Sequence, residues 1–130
     1  MKFLQPLNWP RPKGYANGVA TKGNLVFLSG IVGWNAQGKF ATRDFVAQVR
    51  QALLNIVEIL AQAQAKPEHI ARMNWYVLDK NEYMAAAQAM GEAYREIIGR
   101  HYPAMTVMEV SGLLEADARV EIEVTAVVPE

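Results

Sequence analysis

The chain is 130 residues long, its 13 basic and 13 acidic residues leave no formal net charge, and it contains no cysteine. With 52% hydrophobic and 20% charged residues, the composition is typical of one globular domain and excludes a disordered chain or a membrane protein. The lack of cysteine excludes a thiol nucleophile, a disulfide framework and a thiolate metal site. The neutral charge argues against nucleic acid or an anionic membrane as a partner. We therefore expect a single cytoplasmic domain over residues 1–130, without a signal peptide.

The first quarter of the chain predicts an irregular arm followed by two strands. Residues 1–13 contain three prolines, which disfavour a helix and indicate an irregular arm or a short edge strand. A turn signal at residues 22–24 joins predicted strands over 17–22 and 24–31. Residues 25–28 are apolar, as expected for a strand that is covered on both faces.

Two amphipathic segments predict the helices. Apolar residues recur at helical spacing over 43–64, where Thr42 is a suitable N-cap. The same spacing recurs over 81–99, and Gly99 is a suitable C-terminal stop. Each segment has one apolar face, so we expect both helices to pack on the same side of a sheet.

Three further strands are predicted over 73–78, 105–111 and 119–128. In the last of these, apolar residues alternate with the acidic Glu121 and Glu123. The element order β-β-α-β-α-β-β predicts an α+β fold with a mixed sheet and both helices on one face. The other face would carry apolar and acidic side chains, and such a face usually lies against another subunit.

Few side chains outside the predicted core have the chemistry of a functional site. Ser29 ends a buried strand and suits either a turn hydroxyl or a ligand contact. Tyr15 lies in a loop and suits either a ligand hydrogen bond or a cap on the sheet. Glu121 and Glu123 share a strand face, which indicates either a solvated surface or a carboxylate that holds a water in a cleft and takes its proton. The two histidines are not at metal-ligand spacing, so no metal site is predicted.

Several short motifs occur in a fixed order along most of the chain. They are Gly14-Tyr15 with Gly18, Leu28-Ser29-Gly30, Asn55-Ile56, Pro103-Ala104 and Val120-Glu121-Ile122-Glu123. Together they resemble the RidA (YjgF) family of small trimeric imine and enamine deaminases. The resemblance implies a chorismate-mutase-like fold and a homotrimer with three clefts between subunits. It also implies hydrolysis of a reactive imine to a carbonyl compound and ammonia, without a metal or an organic cofactor.

The same resemblance assigns candidate roles to five residues. Tyr15 matches the family's ligand-contacting tyrosine, and Ser29 and Gly30 match the serine and glycine of the cleft. Glu121 matches the acid that positions the water. Met105 stands where the deaminating members carry the arginine that binds the substrate carboxylate.

Met105 separates this chain from that pattern. An arginine–carboxylate pair is bidentate and charge-assisted, and each such bond contributes about 1.5–3 kcal/mol. A thioether offers an apolar wall instead. Three explanations stay open: the substrate lacks that carboxylate, Lys13 or Arg11 supplies the cation, or the protein binds without catalysing.

Two functions from different classes follow from these residues. The first is an imine or enamine deaminase whose substrate choice is altered by Met105. The alternative is a non-catalytic trimer that binds a small hydrophobic metabolite or a partner protein. The ribonuclease activity ascribed to some relatives has little support, because the chain has no basic stripe for RNA. Chorismate mutase chemistry would need several cations around a dianion, which this sequence does not provide.

Overall fold

The computed structural model describes residues 1–130, and its element order follows the predicted α+β pattern. The strands are β1 (Lys2–Phe3), β2 (Val19–Ala20), β3 (Asn24–Phe27), β4 (Ile31–Val32), β5 (Ile70–Val77), β6 (Ala104–Glu109) and β7 (Val120–Val128). The helices are α1 (Phe45–Ala61), α2 (Lys80–Ala85) and α3 (Ala87–Ile97), with a 3₁₀ turn at Pro67–His69 ahead of β5. None of these helices combines the length and the apolar character that crossing a membrane requires.

The main sheet is mixed, as predicted. Its strand order is β3–β7–β5–β6, and β4 also pairs with β7. β5 and β6 are parallel, whereas β7 runs antiparallel to β3, β4 and β5. β7 is therefore a central strand with neighbours on both sides, and β6 lies at an edge.

The two faces of the sheet differ in character. Along β7, Val120, Ile122 and Val124 are buried in the core, while Glu121 and Glu123 lie half-buried on the opposite face. The alternation predicted for this strand is thus confirmed. We call the face with Glu121 and Glu123 the outer face. It also carries three exposed apolar side chains, those of Leu25, Phe27 and Met108.

Both long helices lie on the inner face, and α1 is held there by polar as well as apolar contacts. Gln48 is fully buried. Its amide group donates to the carbonyl oxygens of Thr42 at 3.0 Å and Asp117 at 2.8 Å. Its side-chain oxygen accepts from the Arg119 backbone N–H at 2.7 Å. These bonds satisfy every buried polar atom of Gln48 and tie the start of α1 to the start of β7.

The residue that caps the start of α1 is not the predicted one. Asp44, not Thr42, is the N-cap, and its carboxylate accepts from the Ala47 N–H at 2.9 Å. Thr42 instead accepts from the Asp44 N–H at 3.0 Å. A carboxylate at this position also faces the positive end of the helix dipole, which favours Asp44 as the cap.

The single helix predicted over 81–99 is two helices. The chain leaves helical geometry at Ala86, where φ is −90° and ψ is 4°. No proline or glycine marks this break, because residues 85–87 are all alanine. The bend comes from packing and not from local sequence. The predicted stop at Gly99 is confirmed, since Gly99 follows α3 with φ 95°.

The strands predicted over 17–22 and 24–31 do not form a hairpin. β2 pairs with β1, so the N-terminal arm forms its own two-stranded sheet. Phe27 is 71% exposed, so the expectation that residues 25–28 are covered on both faces is wrong for the chain alone.

A β-bulge separates β3 from β4. Phe27 pairs with Thr125, and Ile31 pairs with Ile122. Three residues intervene on the first strand but only two on β7, so one residue is unpaired. The bulge lifts Ser29 and Gly30 away from the sheet, and both are exposed.

Candidate functional site

Tyr15 and Met105 are brought together along the free edge of β6. The Ala16 N–H donates to the Pro103 carbonyl oxygen at 2.9 Å, and Ala16 forms a parallel bridge with Ala104. The loop before Ala16 therefore follows the start of β6. Because of this, Gly14 and Tyr15 line one cavity together with Tyr102 and Met105, the residues that flank the distant Pro103-Ala104 motif.

This cavity, which we call the Met105 cavity, has a volume of about 650 Å³ and lies between α3 and the edge of the sheet. Met105 pairs with Met73, whose side chain is buried under the helices, so Met105 also lies on the inner face. The apolar wall is made chiefly by Tyr15, Trp75, Tyr83, Met90, Tyr94 and Met105. Trp75 and Tyr83 meet edge to face at 6.3 Å, and Tyr94 stacks on Tyr102 at 5.4 Å.

The charged side chains of the Met105 cavity are both cationic. They are Lys13, from the loop beside β6, and Arg95, from α3. Burial raises the pKa of Tyr83. Burial, followed by the neighbouring Tyr102, also raises the pKa of Tyr94. Both phenols therefore stay neutral at physiological pH. Of the two cations that the sequence offered as substitutes for the missing arginine, Lys13 lines the cavity and Arg11 does not.

Ser29 and Gly30 line a second cavity, the Ser29 groove, of about 590 Å³ between the bulge and α1. Asn55 positions its wall. The Asn55 amide donates to the carbonyl oxygens of Val32 at 3.1 Å and Trp34 at 2.9 Å. These bonds anchor the chain that follows the bulge onto α1, which explains the structural use of the Asn55-Ile56 motif.

Glu121 lies directly against Gly30. A methyl group built on Gly30 would come within 2.6 Å of the Glu121 carboxyl carbon, so a side chain at position 30 would require the Glu121 carboxylate to move. Glu121 forms no hydrogen bond or ion pair within the chain. Glu123 instead accepts hydrogen bonds from Asn74 at 3.1 Å and from the Tyr76 hydroxyl at 3.2 Å.

These bonds distinguish the two carboxylates, which the sequence alone could not do. The hydrogen bond to Glu123, with burial and the two carboxylate charges adding to it, raises the pKa of Tyr76 and keeps this phenol a donor. The Glu123 carboxylate is thus engaged in hydrogen bonds within the sheet. Glu121 has free oxygens beside an exposed glycine and can accept a proton from a water held there.

The candidate residues form two groups that do not meet within one chain. Glu121 pairs with Tyr76, and Met105 pairs with Met73. Residues three apart on β5 face opposite sides of the sheet. Glu121 and Gly30 are therefore on the outer face, whereas Tyr15 and Met105 are at the edge of the inner face.

Neither histidine has a site-like environment. His69 Nδ1 accepts from the Lys66 N–H at 2.9 Å within the 3₁₀ turn. His101 Nε2 lies 2.7 Å from the Ile70 carbonyl oxygen. The chain contains no group of three or more His, Asp or Glu side chains that could hold a metal ion.

Sequence reasoning did not find Arg95 and Tyr83 as cavity residues. A signal for Arg95 was present, because Ala87, Gly91 and Arg95 recur every four residues and share one side of α3. Small residues on that side leave space beside the arginine. Tyr83 could not be found in this way, because the bend at Ala86 sets the direction of α2.

The mixed sheet with its helices on one face is the α+β fold of chorismate-mutase-like proteins. The family model described as endoribonuclease L-PSP matches residues 9–128. The chain therefore belongs to the endoribonuclease L-PSP family, which is the RidA (YjgF) family that its motifs indicated.

Relatives and solved structures agree with this assignment. The chain is 33% identical over 127 residues to a 2-iminobutanoate/2-iminopropanoate deaminase of Escherichia coli, covering 97% of each chain. It is 32% identical over 120 residues to a RutC family protein of Pyrococcus horikoshii, covering 92% of this chain and 91% of that one. The crystal structure of the Rid family protein YyfB from Yersinia pestis superposes with a TM-score of 0.81, 27% identity and 98% coverage of each chain.

Proposed function

We propose that this protein hydrolyses a reactive imine or enamine to a carbonyl compound and ammonia, and that it does so as a homotrimer. The observation that carries the proposal is the environment of Glu121, a carboxylate with no partner in the chain, held against the exposed Gly30. A general base must be free to accept a proton from water, and this arrangement leaves it free.

The separation of the two groups supports a contact between subunits, and the number of three is what the resemblance to the RidA family implies. In one chain, the Glu121 group and the Met105 group occupy opposite faces of the sheet. A neighbouring subunit that presented its outer-face group to the Met105 cavity would complete a cleft. The exposed apolar side chains of the outer face, Phe27 above all, support a subunit contact there.

In the proposed cleft, Glu121 takes a proton from a water that attacks the C=N carbon. Glu121 returns this proton to the nitrogen to give a carbinolamine. The carbinolamine then transfers its hydroxyl proton to the nitrogen by way of Glu121, loses ammonia and leaves a C=O bond. Tyr15, Ser29 and Gly30 contact the substrate, and no cofactor takes part. Met105 disfavours a small 2-imino acid, because a carboxylate placed directly against the thioether loses water and gains no cation from residue 105. It admits a more apolar imine, since apolar contact gains about 25 cal/mol per Å² buried.

The test is an assay of ammonia release from imines generated in situ by an amino-acid oxidase, with a panel that runs from small to large apolar side chains. We expect release above the spontaneous rate for the larger imines and little for 2-iminopropanoate. If no imine of the panel is hydrolysed faster than in buffer, the deaminase proposal is wrong. The alternative then gains support from Met105: a trimer that binds a small hydrophobic metabolite without catalysis.

A further inference from the structure

The Met105 cavity combines a deep apolar wall with positive charge at its mouth. Met105 is half-buried, whereas Lys13 and Arg95 are exposed side chains of the same lining. The three ion pairs of the chain involve other residues, so neither cation is neutralised internally. An apolar pocket with unpaired cations at its rim fits an amphipathic anion.

The Arg95 side chain lies back along α3 toward the turn that carries Gly91. A methyl group built on Gly91, one turn earlier, would lie 3.2 Å from Arg95 Nη1. The guanidinium therefore folds back along the side of the helix that lines the cavity. An alanine at position 91 would require the guanidinium to shift by a few tenths of an ångström.

One hydrogen-bond donor of a residue in the cavity wall is buried and unpaired. Trp75 is almost fully buried and lines the cavity, and its indole N–H has no hydrogen-bond partner. An unpaired buried donor costs free energy until an acceptor reaches it.

We propose that Arg95 and Lys13 bind the carboxylate of an organic acid at the mouth of the cavity, while the aromatic or branched body of that acid lies against Met105. This inference rests on the proposed function, because it takes the cavity as the substrate site of the deaminase. It names the substrate class of that site as the imine of a large apolar acid. A small imino acid cannot reach the cations and fill the apolar wall together, so it binds poorly.

The test uses three stable probes and isothermal titration calorimetry. Phenylpyruvate carries both a ring and a carboxylate, pyruvate lacks the ring, and phenylacetone lacks the carboxylate. We expect the wild-type protein to bind phenylpyruvate about tenfold or more tightly than either of the others, the scale of one charge-assisted bond. Equal affinity for phenylpyruvate and phenylacetone, or no binding of any probe, would overturn the proposal.

Variants assign the carboxylate contact to its residues. We expect Arg95→Gln and Lys13→Gln each to weaken phenylpyruvate binding about tenfold and to leave phenylacetone binding unchanged. Gly91→Ala, which displaces the guanidinium, should also weaken the binding of phenylpyruvate. Arg100→Gln is the matched control, because Arg100 is exposed just beyond α3 and lines neither cavity. An unchanged affinity in Arg95→Gln, or an equal loss in Arg100→Gln, would contradict the assignment.

Failure of this inference can be told from failure of the proposed function. If phenylpyruvate binds as expected but no imine is hydrolysed, the anion site stands and deamination does not. If imines are hydrolysed but Arg95→Gln leaves the KM for the aromatic imine unchanged, deamination stands and the anion site does not. If Arg95→Gln dissociates the trimer but binds phenylpyruvate as tightly as the wild-type protein does, Arg95 makes a contact between subunits instead.

Discussion

Glu121 lies on β7, a central strand with hydrogen-bonded neighbours on both sides, whereas Met105 lies on β6 at the edge of the sheet. Gly30, the residue packed against Glu121, belongs to a bulge whose following segment is anchored to α1 by Asn55. The loop that carries Tyr15 reaches β6 through one backbone hydrogen bond, from Ala16. The backbone that carries Glu121 is therefore held on both sides, whereas Met105 lies at the margin of the sheet.

This contrast explains how the chain can keep the acid and change the substrate contact. Replacement of a half-buried side chain at a sheet edge disturbs few neighbours, so an arginine position can become methionine at little cost to the fold. A side chain at position 30 would instead displace the Glu121 carboxylate from its place beside Gly30. Four changes to the protein would test this difference between Glu121 on the central strand and Met105 at the edge, from the largest expected effect to the smallest.

Separation of the subunits should abolish activity, because each proposed cleft takes one group from each of two chains. The wild-type protein should have about three times the chain mass of 14.5 kDa by light scattering. Phe27→Asp places a carboxylate on the outer face and should yield monomers without deaminase activity. Leu114→Asp is the control, because Leu114 is 98% exposed in a loop away from the sheet. A wild-type protein that is monomeric at micromolar concentration would defeat the cleft.

Removal of the acid should lower turnover strongly without unfolding the protein. Glu121→Gln should reduce kcat about 100-fold, the usual scale for a lost general base. Glu123→Gln should keep most of the turnover but lose stability, since Asn74 and Tyr76 both donate to Glu123. The measurements are steady-state kinetics and urea denaturation on both variants. A large kinetic loss in Glu123→Gln, with Glu121→Gln unaffected, would reverse the assignment.

An arginine at position 105 should give the protein activity on small imino acids. Met105→Arg supplies the missing cation, and we expect kcat/KM for 2-iminopropanoate to rise about tenfold or more. Met84→Arg adds the same charge on α2, outside the cavity, and should change nothing. The assay compares all three proteins at equal trimer concentration. Wild-type activity already equal to that of arginine-bearing relatives, with no gain in Met105→Arg, would show that another cation holds the small carboxylate.

The buried phenols of the cavity should make the fold sensitive to alkali. Burial raises the pKa of Tyr94 and Tyr83 above the unfolded value of about 10. Above pH 10 the unfolded chain loses these protons before the folded chain does, so the free energy of unfolding falls as pH rises. Well below pH 10 both the folded and the unfolded chain keep these protons, so the two residues do not make the free energy of unfolding depend on pH.

Urea denaturation between pH 8 and pH 11 measures this slope. Tyr94→Phe should cost about 1 kcal/mol at pH 8, because it removes the hydrogen bond to the His101 carbonyl oxygen at 2.6 Å. Its decline above pH 10 should be shallower than that of the wild-type protein. An identical slope in both proteins would show that the Tyr94 proton does not contribute.

Much of the fold could be predicted from short-range patterns. The alternation along β7 identified its buried face, and the helical spacing identified α1 within a few residues of its ends. The errors lie where packing outweighs local preference. The bend at Ala86 has no local marker, and β2 pairs with β1 although a turn signal precedes β3.

The sequence by itself determined the family and the mixed α+β fold and supplied the candidate residues, Met105 among them, because these features depend on residue type and spacing. Only the tertiary structure decided that Glu123 is engaged and Glu121 free, that Lys13 lines the cavity and Arg11 does not, and that Arg95 joins Lys13 there. These outcomes depend on which face of the sheet a side chain occupies and on which distant segments meet. Strand pairing and the register of a bulge fix both, and they arise from contacts between residues far apart in the chain.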